Sequence, residues 1–452
     1  MDPWEGTMPG TPNPETISPR LQRIATLAKA MPGGALRTLG QYIDIACLRD
    51  AYRRTRKDGA VGVDRQTAEQ YAEDLERNLQ SLLDRAKSGT YSAPPVRRVH
   101  IPKGDGVQRR PIGIPTFEDK ILQRAVTMVV EAVYEQDFLD CSYGFRPGRS
   151  AHQALEVLRK GLMTMGGGWV LEVDIRSFFD TLDHGQLRAI LCKRVHDGVL
   201  LRLIGKWLHA GVLEDGGITY PDAGTPQGGV ISPLLANIFL HEVLDTWFEN
   251  EVQPRLKGRA FLVRYADDVT VVFSREGDAR RVWAVLPKRC ARYGLTLHPE
   301  KTRLIAFRRP SGADRDATAR PESFAMLGFT HVWTRSRRGY WVIKRKTARD
   351  RLSRALRAIA QWCRQDRHAA VSWQHAVLSQ KLRGHYGYYG ITGNSVAITR
   401  FRHEVRRRWW KWLSRRGGRS YLSWIHFARL EERYLLPAAI TVHSRYRWAA
   451  NP

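Results

Sequence analysis

The chain has 452 residues, of which 43% are hydrophobic and 10% aromatic, and it carries a formal net charge of +28 at pH 7. At roughly 100–200 residues per domain this length predicts several domains, and the apolar content excludes wholesale disorder. Such a basic excess repels itself unless a polyanion neutralises it, so nucleic acid is the expected partner and an anionic membrane surface the alternative. No apolar run approaches the ~20 residues of a membrane span, and the N-terminal residues lack the pattern of a secretory signal. We therefore expect a cytoplasmic protein without a membrane partner.

The five cysteines are too far apart in sequence to suggest a zinc site, and an odd number spread over a long chain does not indicate a disulfide framework. We expect reduced thiols.

The N-terminal third is mainly helical by its apolar spacing. Residues 1–17 are rich in Pro, Gly and Thr, and a helix is predicted over 18–30 with Ser18 as its N-cap and Pro19 in the first turn. Residues 36–95 are predicted to be helical apart from RTRKDGAVGVDR. Two basic strands, VRRVHIPK and VQRRPIGIP, are joined by a Gly-Asp-Gly hairpin turn and followed by a helix over 116–136.

From residue 169 strands and helices alternate. The predicted elements, in order, are a strand WVLEVDI, a helix from about Asp183, helices QLRAILCKRV, VLLRLIGKWLHAGV and PLLANIFLHEVLDTWFENEV, a strand pair FLVRYADDVTVVF around a tight turn, a further helix, and a strand FAMLGFTHVW. This pattern predicts an α+β fold to about residue 345 and an all-helical basic region beyond it.

Most of the net charge lies in one stretch. Residues 335–419 contain 23 Lys or Arg and three acids, a balance of +20. Apolar residues recur there at helical spacing, so the stretch is not a disordered tail. The two stripes are Leu352, Leu356, Ile359 and Cys363, and Ile398, Phe401, Val405, Trp409 and Leu413. With aromatic residues interleaved, we interpret it as a nucleic-acid surface, against the alternative of a solvated helical face.

Two adjacent aspartates, Asp267 and Asp268, lie between apolar strand segments. Like charges at a turn repel each other, so local stability does not explain them, whereas magnesium takes carboxylate and phosphate oxygens. A further carboxylate is needed, and Asp174 at the end of a β-rich run is the candidate. Each feature alone is more often a surface turn or a cap, so the prediction depends on their combination.

Several motifs resemble those of group II intron-encoded reverse transcriptases of bacteria. YADD (265–268), VDIRSFFDTLDH (173–184) and GTPQGGVISPLLANIFL (224–240) resemble the polymerase C, A and B motifs. Further blocks follow in the family's order: IPKGDGVQRRPIGIPTFEDKILQRAV, YGFRPGRSAHQAL, LTLHPEKTRL, FAMLGF and KLRGHYGYYGITGN. The resemblance runs from about Asp58 to Ser444.

The resemblance implies a right-hand polymerase with fingers, palm and thumb. It assigns residues 46–344 to fingers and palm, 345–414 to a helical thumb or maturase (X) domain, 1–45 to an N-terminal extension and 415–452 to a short basic extension with a possible role in DNA binding. It also implies binding of an RNA template, a DNA primer or target, and deoxynucleoside triphosphates; the oligomeric state stays open.

The same resemblance assigns the chemistry. Asp174, Asp267 and Asp268, with the Ile175 carbonyl, would hold two Mg²⁺ ions, with Mn²⁺ as a substitute. The implied roles of the other residues are triphosphate binding for Lys103 and Arg110, a steric gate against ribonucleotides for Phe179, contact with the nucleotide or base pair for Gln227 and Gly228, and proton donation to pyrophosphate for Lys301. The alternatives are a solvated hairpin face for Lys103 and Arg110, a core role for Phe178 or Phe179, a plain turn around Gln227, and a surface position for Lys301.

The nucleic-acid contacts are assigned to basic residues after the palm: Arg354, Arg357, Arg383, Arg402, Arg406 and Lys411. No Cys- and His-containing HNH endonuclease segment is present in the sequence, so we do not expect target-strand cleavage by this polypeptide.

Three functions fit these motifs: an RNA-directed DNA polymerase that also assists intron splicing and mobility, an RNA-binding maturase with little polymerase activity, and a domesticated reverse transcriptase in DNA repair or phage defence. An RNA-dependent RNA polymerase is disfavoured by Phe179.

Overall fold

The computed structural model describes residues 18–102, 109–214, 216–220, 223–225, 227–310, 322–336, 338–417 and 422–443. They form two compact units. The first is drawn from residues 18–101 and 109–306, and the second from Pro102 and the described residues from Phe307 onward. No helix among the described residues is long and apolar enough to cross a membrane, and the five cysteines are free.

The first unit is built around the predicted helix α5 (Phe117–Tyr134), which is buried along most of its length. The other helices of this unit are α1 (Pro19–Ala30), α2 (Ile45–Arg54), α3 (Ala68–Ala72), α4 (Leu75–Ser88), α6 (Ala151–Met165), α7 (Phe178–Thr181), α8 (His184–Cys192), α9 (Gly198–Leu208), α10 (Ser232–Leu240) and α11 (Glu276–Ala291). The helix predicted from residue 18 is confirmed. Ser18 occupies the cap position, but its side chain makes no capping hydrogen bond.

Two sheets accompany these helices. Their strands are β1 (Val96–Pro102), β2 (Arg109–Ile114), β3 (Gly167–Val173), β4 (Val212–Glu214), β5 (Gly217–Thr219), β6 (Ala260–Tyr265), β7 (Asp268–Phe273) and β8 (Arg303–Arg308). One sheet has the order β2-β1-β4-β5 and the other β6-β7-β3-β8. The predicted pairing of the two basic strands is confirmed, while residues 103–108 between them lie outside the described residues. The prediction that helix continues to Val212 was wrong, because α9 ends at Leu208 and Val212 starts β4.

The segment after α10 is helical with a wider turn. Residues His241–Asp245 and Phe248–Val252 adopt π-helical turns, which insert extra residues and rotate the side chains that follow. The side chain of Asp245, in the first of these turns, is buried.

The second unit contains a three-stranded antiparallel sheet, β9 (Ser323–Met326), β10 (Phe329–Arg335) and β11 (Trp341–Thr347), in the order β11-β10-β9. The prediction of one strand over FAMLGFTHVW was wrong. Leu327 and Gly328 both have positive φ, 50° and 76°, and form a two-residue turn between two strands.

The helical region predicted after residue 345 is confirmed. It consists of α12 (Arg349–Gln365), α13 (Val371–Tyr389), α14 (Ser395–Leu413) and α15 (Trp424–Arg433). The predicted stripe of α14 is wholly buried, and so is that of α12 except for Leu352.

Candidate active site

Asp174 directly follows Val173, the last residue of β3 and the last that pairs with β7. Its carbonyl accepts a hydrogen bond from the His298 N–H at 2.8 Å, and its own N–H lies 3.3 Å from Oγ1 of Thr302. The segment 296–302 therefore fixes the backbone of Asp174 and leaves its side chain partly exposed, as a ligand-binding carboxylate requires.

Asp267 and Asp268 lie at the turn between β6 and β7. In this hairpin Tyr265 pairs with Asp268, so Ala266 and Asp267 form the two-residue turn, and Ala266 has a φ of 55°. β7 also pairs with β3, with Val173 opposite Val269. Continued by one residue, this register brings Asp174 opposite Asp268, on the same face of the sheet. Asp174 and the Asp267–Asp268 pair, which begins 93 residues later in sequence, thus lie together at the ends of the neighbouring strands β3 and β7.

The charge of Asp267 is influenced by its surroundings. Burial and the neighbouring charge of Asp174 raise the pKa of Asp267, while its own backbone hydrogen bond and the cations Arg110 and Arg264 oppose that rise. The two carboxylates are therefore close enough to repel each other, and a cation between them would relieve that repulsion.

Arg110, on the exposed start of β2, is near enough to Asp267 to affect its pKa. The arginine predicted to bind the triphosphate therefore acts electrostatically on Asp267. Lys103 lies outside the described residues.

Lys301 extends over the same edge. Its Nζ is 3.7 Å from Oδ2 of Asp174, and 62% of its side chain is exposed. It is both a surface lysine and a neighbour of the carboxylates.

The Phe178–Phe179 pair divides into two roles. Phe178 is 2% exposed and contacts Phe239, whereas Phe179 is only partly buried, with the two rings 5.3 Å apart. Phe178 is the core member, which leaves Phe179 available as the gate.

The loop with Gln227 and Gly228 is attached to β2. The Gln227 carbonyl accepts the Gly113 N–H at 2.7 Å, and Gln227 Nε2 lies 3.4 Å from Oδ1 of Asp180. Gly228 has a φ of 118°, and a Cβ there would lie 2.5 Å from the Gly113 carbonyl oxygen. The glycine is thus required by packing against β2, which the sequence reading did not foresee.

The donor set fits magnesium. Asp174, Asp267 and Asp268 supply hard carboxylate oxygens. Ile175 forms a bridge with Leu297 in which the hydrogen bonds are made by the flanking Asp174 carbonyl and Arg176 N–H, so its own carbonyl points away from residues 296–302. Across the described parts of the chain, no group of three or more His, Cys, Asp or Glu side chains is already arranged to hold a metal ion.

Comparison with known proteins identifies the family. The family model described as "Reverse transcriptase (RNA-dependent DNA polymerase)" matches residues 101–331, about half of the chain. A relative, the protein YkfC of Escherichia coli K12, is 36% identical over 279 residues, which are 60% of this chain and 72% of YkfC. The chain belongs to the reverse transcriptase family.

The group II intron resemblance is also confirmed. The group II intron-encoded protein LtrA of Lactococcus lactis is 44% identical over 168 residues, 37% of this chain. The nuclear intron maturase 2 of Arabidopsis thaliana mitochondria is 30% identical over 177 residues, 30% of this chain. The matches span only 28% of LtrA and 24% of the plant maturase.

Sequence reasoning missed a buried network beneath the motif B loop of this reverse transcriptase. Asp119 on α5 accepts hydrogen bonds from Tyr91 (2.5 Å), Trp207 (2.7 Å) and Gln123 (3.1 Å). The Gln123 Oε1 in turn accepts the Val230 N–H at 2.8 Å. The network thus orients Gln123 toward the loop that carries Gln227. An acidic residue in an otherwise apolar helical stripe was the available signal, because a buried carboxylate needs partners.

Two of the predicted nucleic-acid contacts, Arg402 and Arg406, make hydrogen bonds within the protein. Arg402 donates to the carbonyls of Pro437 (3.0 Å) and Leu436 (3.1 Å). Arg406 pairs with Glu431 at 2.7 Å and lies over the Trp424 ring at 4.5 Å. Both arginines attach the segment after residue 422 to α14, a role that charge counting does not reveal.

The other four differ in exposure. Arg357, Arg383 and Lys411 are exposed, and Arg354 is partly buried with its guanidinium 3.8 Å from Asp350. The exposed part of the predicted basic surface therefore includes Arg357, Arg383 and Lys411.

Proposed function

We propose that the chain is an RNA-directed DNA polymerase of the group II intron type, which copies RNA into cDNA. The observation that carries the proposal is the meeting of Asp174, Asp267 and Asp268 at one sheet edge beside Arg110. Membership of the reverse transcriptase family and the similarity to LtrA support it.

In this mechanism the aspartates bind two metal ions, which when bound supply charge neutralisation for the attacking 3′-oxygen and the departing pyrophosphate. Arg110, with Lys103, binds the triphosphate, since a guanidinium donates two parallel hydrogen bonds to phosphate oxygens. Phe179 packs against the sugar and excludes a 2′-hydroxyl. Lys301 donates a proton to pyrophosphate.

The domain assignment is part of the proposal: fingers and palm over 46–344, thumb or maturase domain over 345–414, and extensions over 1–45 and 415–452. The exposed Arg357, Arg383 and Lys411 then hold template and primer through phosphate contacts that do not depend on sequence and weaken with salt.

The test is primer extension with an RNA template, a DNA primer, dNTPs and Mg²⁺. The unchanged chain should extend the primer, and Asp267→Ala should abolish extension while retaining RNA binding. Extension that survives Asp267→Ala would exclude this site as the catalytic one.

We propose a second activity, assistance of intron splicing, on the strength of the basic helical region and the similarity to a protein named as an intron maturase. Because RNA binding does not require the aspartates, the Asp267→Ala protein should still promote splicing of its intron RNA. Loss of splicing together with polymerisation would argue against a separate maturase surface. A domesticated role in repair or defence uses the same chemistry, and the presence of intron RNA domains around the gene distinguishes the two.

A further inference from the structure

Arg264 of β6 is completely buried, three residues before Asp267. Its guanidinium forms a bidentate ion pair with Asp245, with Nε–Oδ1 at 2.8 Å and Nη2–Oδ2 at 2.6 Å, and Asp245 is equally inaccessible to water. Two parallel charge-assisted hydrogen bonds fix the plane of the guanidinium as well as its position.

The partner carboxylate remains charged. Burial acts to raise the pKa of Asp245, but Arg264 and His241 together hold it below its ordinary value. Asp245 is the last residue of the π-helical turn over His241–Asp245.

The remaining nitrogen of Arg264 reaches the turn. Nη1 donates to the Asn237 Oδ1 at 2.8 Å and lies 3.1 Å from the carbonyl oxygen of Ala266. Ala266 is the positive-φ residue that immediately precedes Asp267, and it is 6% exposed. The guanidinium therefore bonds to the strained residue of the turn itself.

Asn237 closes the arrangement from the other side. Its Nδ2 donates to the Gly144 carbonyl at 2.6 Å, and Gly144 packs so tightly that a Cβ there would overlap the backbone nitrogen of Ala266. The turn is thus held between α10, residues 143–145 and Arg264.

A buried ion pair is weak grounds for stability, because desolvation of both charges offsets their attraction. Removal of either partner, however, leaves an uncompensated buried charge, so arrangements that separate Arg264 from Asp245 are strongly disfavoured. We propose, on the basis of the proposed function, that Arg264 is a positioning residue. Together with Asp245 and Asn237 it sets the orientation of the Asp267 turn, and this orientation determines the metal affinity and the turnover of the polymerase site.

The test compares Arg264→Lys with the unchanged full chain. Lysine keeps the positive charge but cannot bond to Asp245, Asn237 and Ala266 in one plane. Residues that orient metal ligands typically contribute about 10–100-fold to metal affinity or activity. We expect Arg264→Lys to lower kcat for dNTP incorporation and to weaken Mn²⁺ binding by factors in that range, with the KM for primer–template unchanged. Mn²⁺ binding is measured by EPR on the chain with an RNA template, a dideoxy-terminated primer and the matching dNTP.

A matched control is Arg194→Lys. Arg194 is also buried and pairs bidentately with Asp137, at 2.6 and 3.1 Å, but its other bonds go to backbone carbonyls of residues 28–34. It should lower Tm without changing kcat or Mn²⁺ affinity.

The inference is overturned if Arg264→Lys lowers Tm as Arg194→Lys does but keeps kcat and Mn²⁺ affinity. Should Arg264→Lys fail to fold, the second variant is Asn237→Ala. It keeps the Arg264–Asp245 ion pair and removes the hydrogen bonds of Asn237 to Arg264 and Gly144. Reduced kcat and Mn²⁺ affinity in Asn237→Ala supports the inference, and unchanged values overturn it. If the unchanged chain does not incorporate dNTPs, the proposed function fails, and Mn²⁺ binding by the variants still decides this inference.

Discussion

Lys301 Nζ lies 3.7 Å from Oδ2 of Asp174, so the lysine proposed as proton donor and a carboxylate proposed as metal ligand are neighbours at the end of β3. Asp174 is fixed through its backbone by Thr302 and His298, on the same short segment as Lys301. One loop therefore determines the distance between the lysine and the carboxylate.

Replacement of Lys301 distinguishes proton donation from simple charge pairing. General acid catalysis contributes roughly 10²–10⁴-fold, so Lys301→Ala should lower kcat by about 100-fold or more with little change in the KM for dNTP. Lys301→Arg retains the charge but releases its proton far less readily. In single-turnover primer extension we expect Arg to be nearly as slow as Ala. Full activity of Lys301→Arg would show that only the charge matters.

Phe179→Val should admit ribonucleotides. A smaller side chain at the partly buried position opens space beside the sugar, so the ratio of kcat/KM for rNTP to that for dNTP should rise by roughly 10-fold or more. Steady-state extension with single nucleotides measures the ratio. Phe178→Leu is the control, since that ring is in the core; it should lower Tm and leave the ratio unchanged. An unchanged ratio in Phe179→Val would refute the gate.

The Asp119 network should make stability depend on pH. Burial raises the pKa of Asp119 to about 6, although the hydrogen bonds from Tyr91, Trp207 and Gln123 act to lower that pKa. The folded state thus binds this proton more tightly than the unfolded state, so the contribution of Asp119 to stability is present below the unfolded pKa and is lost as pH rises toward 6. This loss amounts to about 3 kcal/mol.

The measurement is the free energy of unfolding of the unchanged chain and of Asp119→Asn between pH 4 and pH 7, taken as a difference so that other titrating groups cancel. We expect the unchanged chain to lose stability relative to the variant over this range. Parallel curves would mean that Asp119 titrates normally.

Arg406 and Lys411 should separate stability from RNA binding, although both lie on α14. Arg406→Ala leaves the buried Glu431 carboxylate unpaired, so it should destabilise the protein by about 2 kcal/mol. Lys411→Ala should leave Tm unchanged and reduce the slope of log K against log salt for RNA binding by about 1. Thermal unfolding and RNA titrations at several salt concentrations test both. A normal Tm for Arg406→Ala would mean that its pair with Glu431 contributes nothing.

The aspartates could be predicted from sequence because their chemistry is local. Asp267 and Asp268 lie at a turn between apolar strands and Asp174 ends a strand, and the resemblance of these segments to the polymerase motifs linked them. The resemblance assigns the gate to Phe179, but the residues alone leave open which of Phe178 and Phe179 is in the core, because that depends on which ring faces Phe239.

Arg264 and the residues that bond to it were harder to predict from sequence for a similar reason. Asp245, in the π-helical turn after α10, precedes Arg264 by 19 residues, and Asn237, on α10, precedes it by 27 residues. No periodicity in the sequence indicates that these residues converge. The signal present was a charged residue within the apolar run FLVRYA, which demands a buried partner without naming it. Likewise, the hairpin at Leu327 was missed because a non-glycine residue at positive φ has no clear sequence signature.

The contact between Gly144 and the turn has a consequence for mutational tolerance. A Cβ at residue 144 would meet the backbone nitrogen of Ala266 and would lie 2.9 Å from the carbonyl carbon of Tyr265. These atoms are common to every amino acid, so no second-site change of side chain at 265 or 266 can make room. A suppressor screen that starts from Gly144→Ala should therefore recover true revertants or changes that move the backbone of residues 143–145 or 265–266, rather than changes that only shorten a side chain there.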